Sequence, residues 1–262
     1  MKRCIAAFLG LCAAWMAAQA QPVVDLPTRP GVTERMLVLA SGQPTATVLL
    51  LTGGSGHVAI RDDGTLVRAE NFLVRTRAQF QQQGFAVLVL DAPSDRPRPV
   101  FLGNGFRDSA QHMQDLGAAV QWARQKFGKP VFVVGTSRGT QSAAHAAEVL
   151  TGPAAPDGIV LTSTILRRSP RGGEGRSVPE MDLSHVALPV LVVHHAEDPC
   201  PVCAPSLLPS LMNKFPQGRA ELKTYTGGGN EGDPCEPWSH HGYNGIEDRV
   251  VTDIAAWIRE HS

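Results

Sequence analysis

The sequence has no excess of charge of either sign. Its 262 residues include 24 Lys and Arg and 24 Asp and Glu, so the formal net charge at pH 7 is zero. This balance gives no attraction to a polyanion, and we therefore expect neither nucleic acid nor an anionic membrane surface as a partner. Internal repeats and low-complexity tracts are also missing. With 43% hydrophobic residues at this length, the chain can bury the core of one large domain.

Long hydrophobic runs are missing after the first twenty residues. A basic start precedes the apolar run Cys4–Ala18, and residues 18–20, Ala-Gln-Ala, give the small-x-small pattern that signal peptidase cuts. The run is shorter than the roughly 20 residues of a membrane-spanning helix. We predict a signal peptide over residues 1–20, a single domain over residues 21–262, and a periplasmic or secreted protein without a membrane partner.

Cysteine is scarce. Two of the five cysteines fall within the predicted signal peptide, which leaves Cys200, Cys203 and Cys235. In an oxidising compartment an odd count implies one disulfide and one free thiol, and the count alone leaves the pairing open. Zinc binding by these three cysteines with His240 is a weaker alternative, and a redox role for the C-x-x-C pair lacks the usual thioredoxin-like context. We expect no metal and no cofactor.

Short runs rich in Val and Leu alternate with helical patterns along the chain. The predicted strands are Met36–Leu39, Ala46–Leu51, Ala86–Leu90, Val131–Gly135, Gly158–Thr162, Val190–His194 and Glu221–Tyr225. The predicted helices are Phe72–Gln83, Ser109–Phe127, Arg138–Leu150, Ser206–Phe215 and Ile246–His261. This alternation favours an α/β fold with a mostly parallel central sheet flanked by helices.

A Gly-x-Ser-x-Gly motif, Gly135–Gly139, follows the apolar run Val131–Val134 and opens a helical pattern. This strand–turn–helix setting is the one that a nucleophile elbow requires. In such a turn the nucleophile takes a strained backbone conformation, and glycines two residues away on either side avoid clashes. The motif therefore predicts Ser137 as a nucleophile at the C-terminal end of the sheet. It also predicts that the Arg138 N–H points at the developing oxyanion.

A serine nucleophile needs a base, and the base needs a carboxylate to orient it. After a nucleophile elbow, the acid and then the His follow the Ser along the chain, and this sequence has candidates for both in that order. Asp198 lies just past the predicted strand Val190–His194, and His240 and His241 lie between the predicted strand Glu221–Tyr225 and the last helix. The three placements together indicate acyl-transfer chemistry.

Other residues near these positions compete for the same roles. Glu197 is an alternative acid, although its side chain starts one residue closer to the strand, and Asp95 is a weaker candidate. Spacing alone does not separate His240 from His241. We expect four further histidines to be structural, solvated or supporting residues: His112, His145, His194 and His195.

A glycine-rich loop, Thr-Gly-Gly-Ser-Gly-His over Thr52–His57, comes directly after the predicted strand Ala46–Leu51. Glycine lets the backbone approach a substrate closely. We therefore predict the N–H of Gly54, with Ser55 as the alternative, as the second oxyanion donor beside Arg138. A phosphate-binding loop is disfavoured, because the Gly-x4-Gly-Lys-Ser/Thr pattern is absent.

From the Thr52–Gly56 loop to the last helix, the sequence resembles the α/β-hydrolase superfamily, and in particular exported bacterial hydrolases of the dienelactone-hydrolase-like kind. The resemblance rests on the elbow Gly135–Gly139, the acid segment Leu191–Asp198 and the His segment His241–Glu247. It implies the α/β-hydrolase fold and places the catalytic base at His241 rather than His240. Thr52 departs from the pattern, in which His commonly starts the oxyanion loop, so the oxyanion donor stays open.

The same resemblance implies a disulfide between Cys200 and Cys235. Larger relatives often insert a lid between Thr164 and Pro189, where this chain has only about 25 residues, so we expect little or no cap domain and an open cleft. We therefore expect an exported serine hydrolase that cleaves small-molecule carboxylic esters. Amide, thioester or lactone cleavage and acyl transfer would use the same residues. A non-catalytic binding module with this fold is the contrasting alternative, and the complete Ser–Asp–His set argues against it.

Overall fold

The computed structural model describes residues 22–40, 42–170, 172 and 175–262, so the predicted signal peptide lies outside the described residues. Within the described part, one sheet holds eight strands in the order β1-β2-β4-β3-β5-β6-β7-β8. The strands are β1 Val23–Arg29, β2 Val32–Leu39, β3 Thr47–Leu51, β4 Ala86–Leu90, β5 Val131–Thr136, β6 Gly158–Thr162, β7 Val190–His195 and β8 Ala220–Tyr225. β2 pairs antiparallel with β1 and β4, and all pairs from β4 to β8 are parallel. The predicted mostly parallel sheet is confirmed.

Helices cover both faces of the sheet. They are α1 Phe72–Arg75, α2 Arg77–Gln82, α3 Ala110–Phe127, α4 Gly139–Val149, α5 Leu208–Met212 and α6 Glu247–Glu260. Side chains of α3, α4 and α5 belong to a buried cluster on one face, and those of α1, α2 and α6 belong to a second cluster on the other. The strands β3 to β7 are buried along their whole length, as their nearly continuous apolar sequences require.

Helix α3 illustrates how local sequence sets the bounds of an element. Ser109 Oγ accepts the N–H of His112 at 3.1 Å and caps the start of the helix. The helix ends at Phe127, and the next residue, Gly128, takes the left-handed conformation with φ 63° at no steric cost. Buried apolar residues lie at helical spacing between these two caps: Met113, Leu116, Val120 and Ala123.

The first strand was missed by the sequence analysis. Asp25, Pro27 and Arg29 interrupt its apolar pattern, which is compatible with a strand only because β1 lies at the edge of the sheet. β1 pairs with β2, which extends the predicted strand Met36–Leu39 back to Val32.

Two helices are shorter than predicted. The helix expected over Phe72–Gln83 is split into α1 and α2, because both the hydroxyl and the N–H of Thr76 donate to the Phe72 carbonyl and turn the chain. The helix expected over Ser206–Phe215 is reduced to α5, since a 3₁₀ turn at Pro205–Leu207 precedes it. Pro205 begins the 3₁₀ turn, and Pro209 lies in the first turn of α5. Proline has no N–H to donate, so neither residue could make the hydrogen bond that a longer helix would need.

The parallel strands bring four loops to one edge of the sheet. The C-terminal ends of β3, β5, β7 and β8 lead into the glycine-rich loop, the Gly135–Gly139 turn, the Asp198 segment and the His241 segment. In parallel α/β sheets this edge is where ligands bind. Between β6 and β7 the described residues form loops and the 3₁₀ turn Val178–Glu180, in agreement with the absence of a large cap. None of the described helices combines the length and apolar character needed to cross a membrane.

Candidate active site

Ser137 sits at the tip of a strained turn between β5 and α4. Its φ is 52°, a left-handed conformation that is uncommon for a residue with a side chain. A Cβ on Gly135 would lie 2.4 Å from the Gly139 carbonyl oxygen, and a Cβ on Gly139 would lie 2.1 Å from the Leu51 carbonyl oxygen. Both glycines are therefore sterically required, and together with β5 they form the geometry of a nucleophile elbow.

Asp198 and His241 form a buried hydrogen-bonded pair. His241 Nδ1 lies 2.9 Å from Asp198 Oδ2, and Asp198 Oδ1 accepts the N–H of Cys200 at 2.9 Å. Burial opposes ionisation of Asp198, but hydrogen bonds from His194 and His241 outweigh it and lower the pKa of the carboxyl to about 2. Asp198 is therefore a carboxylate at neutral pH, able to orient the imidazole.

The other ring nitrogen of His241 is buried and makes no hydrogen bond within the described part of the chain. His241 is 4% exposed, and its Nε2 has no hydrogen-bond partner among the described residues. His241 and Ser137 line the same cavity of about 690 Å³. A buried imidazole that is oriented through Nδ1 and open at Nε2 has the arrangement of a general base beside a serine.

The loop that carries His241 is tied to the ends of β6 and β7. Ser163 Oγ donates to the His241 carbonyl at 2.7 Å, and the Tyr243 hydroxyl donates to the Val193 carbonyl at 2.8 Å. The same hydroxyl accepts the Ser163 N–H at 3.0 Å. No sequence pattern indicates this role of Ser163 and Tyr243, since their contacts join segments that lie 80 residues apart. These contacts fix the position of the imidazole relative to the sheet.

The competing candidates make other contacts. The ring of His240 stacks on His195 with centroids 4.0 Å apart, and its Nδ1 lies 3.3 Å from the Glu197 carbonyl oxygen. The Glu197 side chain is 67% exposed. Asp95 forms an ion pair at 2.8 Å with Arg29, the last residue of β1. Of these alternatives to the Asp198–His241 pair, none has the buried carboxylate–imidazole geometry.

His194 supports the candidate acid. It is fully buried, and its Nε2 lies 2.8 Å from the Cys203 carbonyl oxygen and 3.4 Å from Asp198 Oδ2. The His194 ring therefore contacts one carboxylate oxygen of Asp198, and the Cys200 N–H contacts the other. A supporting role is one of the roles that the sequence predicted for His194.

The glycine-rich loop lies directly against Ser137. A Cβ on Gly53 would lie 2.9 Å from Ser137 Cβ, so only glycine permits this approach. The next residue, Gly54, has φ 55°, which is also accessible to glycine without strain. Gly53, Gly54 and Ser55 all line the cavity with Ser137. The predicted oxyanion donors, Gly54 and Arg138, thus lie on loops that meet at the serine.

A second carboxylate–histidine pair lies beside the same cavity, which His57 lines, and its role was not predicted from the sequence. His57 Nδ1 lies 2.9 Å from Asp91 Oδ1, and the His57 ring stacks on Phe101 with centroids 4.1 Å apart. Asp91 also accepts the N–H groups of Val58 and Ile60, each at 2.9 Å. The signal that would have found it is an Asp immediately after β4, at the edge of the sheet where ligands bind.

A disulfide joins Cys200 to Cys235, as the resemblance implied, and Cys203 is the free, buried thiol. The bond links the segment after Asp198 to the loop that leads into His241. It also removes two of the four ligands of the zinc alternative, because a disulfide sulfur is not a thiolate. The rim of the cavity carries more carboxylates than cations: Arg68, Glu70, Glu231, Asp233 and Glu236.

Solved structures of esterases and lipases are similar to this chain. A soluble variant of monoglyceride lipase from Saccharomyces cerevisiae is 13% identical, with a TM-score of 0.65 over 95% of this chain and 96% of its own. An esterase from the Planctomycetes species Thermogutta terrifontis is 15% identical, with a TM-score of 0.61 over 91% of this chain and 93% of its own. Est1E from Butyrivibrio proteoclasticus is 14% identical, with a TM-score of 0.58 over 92% of this chain and 98% of its own. No family model matches the sequence, and no curated protein matches it either.

The chain has the α/β-hydrolase fold. The eight-stranded sheet, its flanking helices and the coverage of nearly the whole chain by these structures agree on this point. At identities of 13–15% the similarity establishes the α/β-hydrolase fold and no more. The fold class predicted from the sequence is confirmed.

Proposed function

We propose that the protein is an exported serine hydrolase that cleaves carboxylic esters through an acyl-enzyme on Ser137. The observation that carries this proposal is the Asp198–His241 pair, with the imidazole bonded through Nδ1 and open at Nε2 in the cavity that Ser137 also lines. A strained serine, a buried oriented imidazole and glycine-rich backbone at one edge of the sheet are the parts that acyl transfer needs.

The reaction follows from these parts in two steps. His241 Nε2 takes the hydroxyl proton as Ser137 Oγ attacks the ester carbonyl carbon, and Asp198 stabilises the imidazolium that forms. The N–H groups of Gly54 and Arg138 stabilise the oxyanion. Collapse releases the alcohol, which receives its proton from His241. Water then attacks the acyl-enzyme by the same route and releases the carboxylic acid and free Ser137.

Esters are the proposed substrates for two reasons. The described residues between β6 and β7 form no cap over the cavity, so a small molecule reaches Ser137 directly. In addition, the structures of similar fold include proteins named as esterases and a monoglyceride lipase. The proposal needs neither a cofactor nor a metal, and it involves neither nucleic acid nor a membrane as partner.

Export is proposed from the sequence and from the disulfide. The first twenty residues have the pattern of a cleaved signal peptide. The Cys200–Cys235 bond would persist in the periplasm or outside the cell, whereas a reducing cytosol disfavours such bonds. Both features support the resemblance to exported dienelactone-hydrolase-like enzymes.

The test is active-site labelling of the protein without residues 1–20. A fluorophosphonate probe should add once to the wild-type protein, and peptide mapping should find the adduct on Ser137. Ser137→Ala should lose both the adduct and the turnover of p-nitrophenyl acetate and butyrate. Ser184→Ala, which changes an exposed serine, is the matched control and should keep both. A folded wild-type protein that takes no label and turns over no ester would overturn the proposal.

A further inference from the structure

Arg107 is a buried arginine whose hydrogen bonds go to neutral groups. The residue is 3% exposed; its Nη1 lies 2.8 Å from Ser142 Oγ, and its Nη2 lies 3.1 Å from the Thr52 carbonyl oxygen. Nη2 also lies 3.5 Å from the Gly54 carbonyl oxygen. Among the described residues, no Asp or Glu forms an ion pair with it. Burying a charge without a counter-charge is unfavourable, so an uncharged side chain would stabilise the fold more at this position.

The groups that contact the Arg107 guanidinium are uncharged, and the guanidinium itself is protonated. Ser142 accepts from Arg107, which leaves the serine proton for His112 Nε2 at 2.8 Å. Burial, together with the positive charge of Arg107, keeps the pKa of His112 well below its usual range, so His112 is neutral. Burial and the positive charge of Arg138 lower the pKa of Arg107 to about 9, which leaves it protonated at neutral pH. The guanidinium of Arg107 is therefore a buried positive charge without an ion-pair partner among the described residues.

The contacts of Arg107 fix the glycine-rich loop on both sides of the Gly54 N–H. The Thr52 and Gly54 carbonyls belong to the first and third of three successive peptide units, and the Gly54 N–H belongs to the second. Because each unit is planar, holding the outer two limits the direction of the one between them. That middle unit is also held through the Gly53 carbonyl, which accepts the Gly56 N–H at 3.1 Å. A Cβ on Gly56 would lie 2.9 Å from Arg107 Nη2, which shows how closely the loop packs on the guanidinium.

We propose that Arg107 is a positioning residue of the oxyanion hole: it clamps the loop that presents the Gly54 N–H to the substrate oxygen, and it supplies a fixed positive charge behind that loop. The inference rests on the proposed serine hydrolase function. An oxyanion carries a full negative charge that the substrate carbonyl lacks. A buried cation therefore favours the transition state more than the bound ester, and such preorganised charges act strongly where water is excluded.

The experiment compares Arg107→Met and Arg107→Lys with the wild-type enzyme. We expect Arg107→Met to lower kcat for p-nitrophenyl butyrate about 10–100-fold and to change KM less than about threefold. Arg107→Lys keeps the positive charge but lacks the planar guanidinium with its two Nη donors, so its kcat should lie between those of Arg107→Met and the wild type. The inhibition constant of n-butylboronic acid, whose serine adduct is a tetrahedral anion, should rise in parallel with the fall in kcat/KM. Rates are divided by the number of sites that a fluorophosphonate labels, so loss of folded protein does not count as loss of kcat.

The matched control is Arg77→Met. Arg77 is a partly buried arginine that also bonds a carbonyl, that of Val74, at 2.7 Å, but it does not line the cavity. The Arg77→Met substitution should leave kcat per labelled site unchanged. If the Arg107 variants do not fold, Ser142→Ala carries the test, because it removes one contact of the guanidinium and should lower kcat about two- to fivefold at constant KM.

The outcomes separate this inference from the proposed function. An Arg107→Met enzyme that labels fully and keeps the wild-type kcat and boronate affinity overturns the inference alone. An Arg107→Met enzyme in which only KM changes also overturns the inference. If the Arg107 variants do not fold, a Ser142→Ala enzyme with the wild-type kcat overturns it. A wild-type protein that is folded but neither labels nor hydrolyses esters overturns the proposed function, and the positioning role falls with it.

Discussion

The carboxylate of Asp198 is shared between His241 and the backbone. Its Oδ2 lies 2.9 Å from His241 Nδ1, and its Oδ1 accepts the Cys200 N–H at 2.9 Å. With both oxygens engaged, the carboxylate has one orientation, and it favours the imidazole tautomer that carries its proton on Nδ1. In that tautomer Nε2 is unprotonated and, among the described residues, has no hydrogen-bond partner, which is the state a general base needs.

Replacing Asp198 by Asn should therefore impair catalysis far more than binding. An amide at this position donates as well as accepts and favours the wrong tautomer, so we expect Asp198→Asn to lower kcat by about 10³–10⁴-fold. KM should change little. Steady-state kinetics with p-nitrophenyl butyrate would measure both. Glu197→Gln, which neutralises the adjacent exposed carboxylate, is the control and should stay within about twofold of the wild type. A large effect of Glu197→Gln with a small effect of Asp198→Asn would reverse the assignment of the acid.

The same pair should make stability depend on pH. The pKa of Asp198 is lowered in the folded state to about 2, so its contribution to the free energy of unfolding is complete above the ordinary carboxyl pKa and is lost as the pH falls through about 2. A shift of this size corresponds to about 2 kcal/mol. Asp198→Asn should lower the free energy of unfolding by about this much at pH 7, and by less at pH 3.

Urea unfolding of both proteins between pH 7 and pH 2.5 would measure this difference. Asp182→Asn is a suitable control, because Asp182 is exposed and its side chain makes only local hydrogen bonds, which it accepts from Ser184. That substitution should change stability little at any pH. A difference between wild type and Asp198→Asn that stays constant down to pH 2.5 would show that the folded carboxyl has an ordinary pKa.

The features that the sequence predicted well, the strands and the elbow, are encoded by residues that lie close together along the chain. The strands β4 and β6 have the predicted bounds, because each is a short run of Val, Leu and Ile between polar turns. The elbow motif is also local in the sequence, because Gly135, Ser137 and Gly139 lie within five residues, although the steric demand on Gly139 comes from Leu51 in the neighbouring strand β3. Chain order predicted positions for Asp198 and His241 after two parallel strands, and in the structure these residues follow β7 and β8.

The features that the sequence did not reveal depend on distant pairings. Arg107 has an unremarkable sequence setting, and only the fold brings Thr52, 55 residues away, to its guanidinium. His57 and Asp91 lie 34 residues apart and meet because β3 and β4 are neighbours in the sheet. Supporting residues of a site are selected by such contacts, and composition or periodicity gives no signal for them.

The close approach of Gly53 to Ser137 predicts a steric effect on activity. In Gly53→Ala the new methyl group would lie 2.9 Å from Ser137 Cβ, so the loop or the elbow must shift. We expect kcat/KM to fall at least about 10²-fold, because displacement of the reacting groups by about 1 Å costs that much. The control is Gly117→Ala in α3, where the nearest atom would be Ala154 Cβ at 3.2 Å, away from the cavity. Equal activity of the two variants would mean that the loop yields without disturbing Ser137.

The Cys200–Cys235 disulfide should support both stability and catalysis. It closes a loop between residues 35 apart, for which chain entropy predicts about 3–4 kcal/mol of stabilisation. Cys235→Ser should lower the free energy of unfolding by about that amount. It should also lower kcat, because the bond connects the segment that holds Asp198 to the loop that leads into His241.

Thiol chemistry provides the control for this prediction. Burial raises the pKa of the Cys203 thiol well above its usual value, so Cys203 should not react with a thiol reagent in the folded protein. In the protein without residues 1–20, denaturation should expose one thiol in the wild type and two in Cys235→Ser. Dithiothreitol should reduce the stability and kcat of the wild type to those of Cys235→Ser, and should leave the variant unchanged. Three thiols in the denatured, unreduced wild type would mean that the two loops are held without a covalent bond.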